Sequence, residues 1–203
     1  MRPRPRIDVS ALPTMAYGPR STLWWGVVSM LAIETTMFAL LFATYFYLRG
    51  NESIWPPPGG APPFGPATAC LVLLFLSVPP MVMVHRESGR ERSLRKIRFW
   101  LIISMAIGLV ALAFRAAEIA ALPFRWDHHA YGSIVWVTIG MHAIHLLTPG
   151  GENILFIALL FKGPVEDRHL VDLRLNALYW YVVVVWDVMV YALIYLDPGV
   201  LRS

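Results

Sequence analysis

The run LWWGVVSMLAIETTMFALLFATYFYL, residues 23–48, holds one charged side chain, Glu34, among apolar, aromatic and a few hydroxyl residues. A helix needs about 20 predominantly apolar residues to cross the hydrocarbon core of a bilayer. This segment alone therefore points to a membrane protein. Four more segments of comparable length follow, approximately Pro66–Val84, Phe99–Leu122, Tyr131–Phe161 and Leu175–Leu196. The 203-residue chain is 57% hydrophobic and 15% charged, where soluble domains carry about 25% charged residues. The runs have helix length rather than the roughly ten-residue alternation of a membrane β-barrel. The expected fold is all-α, a polytopic membrane protein of five transmembrane helices. Residues 23–197 form that domain, between a cytoplasmic N-terminal segment, 1–22, and a tail, 198–203.

The connections test this independently. Arg2, Arg4, Arg6 and Arg20 precede the first span; Arg86, Arg90, Arg92, Arg95, Lys96 and Arg98 cluster around the second connection; Lys162, Arg168 and Arg174 cluster around the fourth. These are thirteen of the 17 basic residues, while Arg49, Arg125 and Arg202 stand singly on the other side. By the positive-inside rule the N-terminus is cytoplasmic and the C-terminus outside. The net charge of +4 is thus mostly topology, because nucleic-acid binding would want it on one folded face. Cytoplasmic basic residues touch anionic lipid headgroups instead. MRPRPR is not followed by a short apolar region and a small-residue cleavage site, so no secretory signal is read there. The single cysteine, Cys70, excludes an internal disulfide and covalent c-type haem attachment.

Between the spans, RGNESIWPPPGGAPPFGP favours extended segments and turns, and its Trp55 suits a headgroup or partner interface. Pro79-Pro80 should kink or end the second helix. Inside the spans, charges are costly, so each needs a partner or a task. Arg115 and Glu118 lie at i, i+3 on one helical face and suit a structural ion pair. His142 and His145 repeat that spacing and could share a metal, with Glu118, Glu152, His128 and His129 as further ligands. The blander reading is two hydrogen-bonding groups facing a neighbouring helix. Axial haem ligands must come from opposite sides, which two histidines three apart on one helix cannot supply. Pro149 should distort the fourth span, and Gly150-Gly151 should loosen it or admit another backbone. Asp187 is the acid of the fifth span.

In chain order, several motifs resemble subunit III of the haem–copper respiratory oxidases. They are WWGVVSMLAIETTMFALLFATYFYLRG, the WPPPGG loop, FRAAEIAALPF, YGS with GMHAIH, and YWYVVVVWDVMVYALIY, spread from about residue 20 to 197. The length resembles the shorter, five-helix bacterial form of the family. Some positions depart from it. Tyr181 and Val184 stand where the family has a last-span histidine and aspartate, with an acid at Asp187 instead. Ala143 replaces a glycine, and TPGGE is not a family element.

The resemblance implies an accessory subunit with no catalytic centre, haem, copper or other metal of its own. Haem and copper would sit in partner subunits of a proton-pumping oxidase in the bacterial inner membrane. The partners implied are the catalytic subunit I, subunit II and further respiratory-complex subunits, with phospholipid bound in a cleft between helix groups. By the same resemblance Glu34 corresponds to a cleft-side, carbodiimide-reactive carboxylate tied to proton uptake. Arg115, Glu118, His142, His145 and Glu152 would form a structural polar cluster. Three other readings stand beside this one: the related subunit of a nitric oxide reductase, a membrane metalloprotein using His142 and His145, and a transporter using Glu34 and Asp187.

Overall fold

The computed structural model describes residues 17–89 and 93–197. It has five helices, α1 Thr22–Asn51, α2 Phe64–Gly89, α3 Leu94–Ala120, α4 Ala130–Lys162 and α5 Asp167–Tyr195. Each is long and apolar enough to cross a membrane, and no strand occurs among the described residues. The helices outrun the apolar segments because hydrocarbon ends before helical hydrogen bonding does. At the start of α5, for example, Glu166 N donates to His169 Nδ1 at 3.0 Å in a reciprocal cap, so the charge-rich stretch DRHLVDLR winds as helix before Leu175. The α4 start is held in the same way, with Gly132 N donating to His129 Nδ1 at 2.8 Å. Gly132 has to be glycine, because a Cβ there would stand 2.7 Å from the Arg125 carbonyl oxygen.

Helices α2, α3, α4 and α5 close a four-membered ring in which each touches two neighbours, while α1 lies outside it against α4 and α5 only. Helix α5 is the most enclosed, and its Trp180 and Trp186 are the largest buried side chains. Helices α3 and α5 stand diagonally across the ring, and only long side chains cross that gap. Trp180 does so by lying on Gly108 of α3, where a Cβ would approach its Cη2 to 2.7 Å.

The prolines do not end their helices. Helix α2 continues to Gly89 with Pro79 and Pro80 inside it, and α4 continues to Lys162 with Pro149 inside it. Pro79 and Pro80 release the carbonyls of Phe75 and Leu76, and the side-chain bonds beside them fall on other groups. Around Pro79-Pro80, Ser77 Oγ donates to Leu74 O at 2.6 Å, Ser104 Oγ to Ser77 O at 3.3 Å, and Trp180 Nε1 to Ser77 Oγ at 2.8 Å. No backbone among the described residues approaches Gly150 or Gly151, since a Cβ at either would meet nothing within 4 Å. The Trp55 ring, half-buried, packs edge-on against Tyr45 and Tyr131, centroids 5.2 and 4.9 Å away.

Candidate functional site

Two polar groups of residues occupy the bundle. The deeper one spans the α3–α5 diagonal. Arg115 reaches Glu118 through Nη1 at 2.5 Å and bonds Asp187 of α5 through Nη2. Tyr195 of α5 donates to Glu118 Oε1 at 2.7 Å. From α4, His142 places Nδ1 3.6 Å from Asp187 Oδ1 and Nε2 3.1 Å from the Val183 carbonyl oxygen. Arg115, Glu118, Asp187 and His142 are all at most 2% exposed. One guanidinium thus faces two carboxyl groups and an imidazole out of water. Arg115 is the member this set can least lose, because its removal would leave two buried carboxyl groups without their cation.

The second group joins α1 to the ring. Tyr179 of α5 donates to Glu34 Oε1 at 3.3 Å, and His145 Nε2 of α4 stands 3.7 Å from the same oxygen. His145 Nδ1 is 2.7 Å from the Met141 carbonyl oxygen. Phe38 stacks on Trp186 at 4.8 Å, and His145 meets both rings edge-on at 5.3 Å. Beside this group α1, α4 and α5 enclose a groove of about 360 Å³. Leu23, Val27 and Phe156 supply apolar walls, and Glu152, Asp172 and Asn176 supply polar ones.

The pairing of Arg115 with Glu118 is present, and Asp187 completes it. Asp187 lies one turn beyond Val184 on α5, so the displaced acid still faces α3 and α4. Glu152 does not join the set with which the sequence grouped it. Ten residues of helix put it about 15 Å along the α4 axis from His142, and it lies on the groove with Asp172. The two histidines share no partner: His142 faces Asp187 and His145 faces Glu34. Among the described residues, no three His, Cys, Asp or Glu side chains converge as metal ligands would. Glu34 is not a lone acid, since Tyr179 and His145 flank it. Tyr179 and Tyr195 escaped the sequence reading because a tyrosine near a span end also fits an aromatic belt.

Comparison with known proteins agrees with the fold. The family described as Cytochrome c oxidase subunit III matches residues 14–197. A cytochrome c oxidase subunit 3 of Thermostichus vulcanus is 25% identical over 176 residues, 84% of this chain and 85% of that protein. One from Synechocystis sp. is 28% identical over 183 residues, 85% of this chain and 74% of that protein. One from Lumbricus terrestris is 26% identical over 183 residues, 85% of this chain and 69% of that protein.

Proposed function

Because the chain belongs to the cytochrome c oxidase subunit III family, we propose that it is a non-catalytic accessory subunit of a haem–copper terminal oxidase in a bacterial inner membrane. It packs against the catalytic subunit, which with its partners holds the haem and copper. The family match across residues 14–197 carries this reading. The five helices long enough to span a membrane and the exposed apolar side chains of α1, such as Ile33 and Leu40, support it. Small residues and interhelical hydrogen bonds provide the association that hydrophobic drive cannot provide in lipid.

The basic end of the bundle faces the cytoplasm, and the groove between α1, α4 and α5 takes an acyl chain of a phospholipid. Its volume lies within the range of small-ligand pockets, about 300–1,000 Å³. Glu34, beside that groove, supports proton uptake by the complex through its contact with Tyr179 and His145. Purification in mild detergent tests the subunit assignment. Recovery together with a haem–copper catalytic subunit is the expected result, and recovery alone with no haem protein would overturn it. Glu34→Ala is expected to leave assembly intact while lowering bound lipid or shortening the lifetime of turnover. Unchanged lipid content and unchanged turnover decay would remove Glu34 from that role.

A further inference from the structure

At the basic end of the bundle, three nitrogen-bearing side chains converge with no carboxylate among them. His85 and Arg86 stand near the end of α2 and Arg174 in the second turn of α5; with Gly89 they line a pocket of about 480 Å³. Arg174 is fixed there by packing rather than by an acid. Its guanidinium lies 3.6 Å from the Tyr17 ring centroid. On another side it abuts the bare Cα of Gly89, where a Cβ would stand 3.3 Å from Cζ. The His85 ring meets the same Tyr17 edge-on at 5.5 Å. Arg174 Nε and His85 Nδ1 are both buried with no hydrogen-bond partner among the described residues. Buried polar atoms are normally satisfied, so this cradle presents unused hydrogen-bonding capacity in fixed positions.

Among the described residues the nearby acids are turned elsewhere. Glu87 faces Lys96 at 3.5 Å, and Asp172 lines the groove on the other side of α5. The C-terminal dipole of α2 contributes about half a negative charge against two guanidinium charges, so the pocket keeps a positive excess. Cations that only set topology need no shared pocket and no packed orientation. Basic pockets between transmembrane helices at this level suit phosphate-bearing head groups, and the planar guanidinium fork matches phosphate oxygens.

We propose that the pocket formed by His85, Arg86, Gly89 and Arg174 binds an anionic phosphate group, supplied by a phospholipid head group or by a soluble phosphate. The test uses the full chain, purified and delipidated in mild detergent. Retention of phosphatidylglycerol and of phosphatidylcholine is read by native mass spectrometry, and binding of inorganic phosphate by calorimetry. Phosphatidylglycerol should remain on the chain in preference to phosphatidylcholine. Arg86→Gln and Arg174→Gln should each weaken it about tenfold, the scale of one charge-assisted hydrogen bond. Arg168→Gln should leave retention unchanged, since that arginine pairs with Glu166 at 3.0 Å on the same face. Inorganic phosphate binding with the same arginine dependence would assign the soluble source. Arg174→Lys keeps the charge but not the planar fork on Tyr17, so it gives an intermediate loss and serves where Arg174→Gln does not fold. Three results would overturn the proposal: neither probe binding, retention undiminished in the arginine variants, or an equal loss in Arg168→Gln.

Discussion

Asp187→Asn should destabilise the chain by about 3 kcal/mol, because it removes one of the two carboxyl groups that hold Arg115. Arg115 is 2% exposed and Asp187 1%, so water cannot replace the lost partner. Breaking a buried ion pair from one side costs roughly 3–5 kcal/mol. The low end applies here, since asparagine retains an acceptor oxygen and Glu118 still binds the guanidinium. An ordinary interhelical hydrogen bond in a membrane contributes only about 0.6 kcal/mol, and at most about 1.7. The two cases are therefore distinguishable. The assay is unfolding of the purified chain from mixed micelles by an anionic detergent, followed by circular dichroism. A double-mutant cycle of Asp187→Asn with Arg115→Met isolates the pair. Arg115→Met alone leaves Asp187 and Glu118 without their cation, whereas the double variant leaves only Glu118, which keeps its hydrogen bond from Tyr195, 2.7 Å away. The double variant should therefore cost at least about 2 kcal/mol less than the sum of the singles. A coupling near 0.6 kcal/mol would refute the charge argument and leave a plain hydrogen bond in its place.

Gly108→Ala should cost about 1–3 kcal/mol by overpacking against the Trp180 indole, and Trp180→Phe in the same chain should recover part of that; the same unfolding assay reads both. Gly151→Ala, where an added Cβ meets nothing within 4 Å, should instead stabilise the isolated chain by about 0.5–1 kcal/mol through helix propensity. Tyr179→Phe removes the hydroxyl that donates to Glu34 and should loosen α1, seen as faster amide hydrogen exchange in residues 22–51 with α2 and α3 unchanged.

The five spans were legible because hydrocarbon imposes both length and polarity on every crossing segment. Helix ends were not. α5 begins at Asp167, two turns before its apolar run, since capping rather than hydropathy decides where a helix starts. Pro79 and Pro80 read as a kink or an end and Pro149 as a distortion, yet α2 and α4 run on through all three, and the serines and indole that meet beside the first two come from α2, α3 and α5 together. That is tertiary information. The same division runs through the polar groups. Arg115 with Glu118 could be read because both lie on one helix at a spacing that fixes their contact. Asp187 cannot be placed without the register of α5 across the ring, and Glu152 parts from His142 because ten residues of rise along α4 separate them.

Helix α1 shows what that register decides. Its Ile33 and Leu40 are 64% exposed, and in lipid this exposure carries no penalty, so apolar burial cannot fix α1 against the ring. What remains are the contacts an apolar solvent cannot imitate. Glu34 meets Tyr179 and His145, Phe38 stacks on Trp186, Tyr45 meets Trp55, and Arg49 pairs with Asp197 at 2.6 Å. These contacts fall at intervals of four, seven and four residues, at 34, 38, 45 and 49, which keeps them along one face. They hold the helix as interhelical polar and aromatic contacts do where hydrophobic drive is absent. A glutamate in this span is therefore part of how α1 is attached as well as a group that can carry a proton. Substitutions that keep its hydrogen-bonding shape and remove its charge are the ones that separate the two roles.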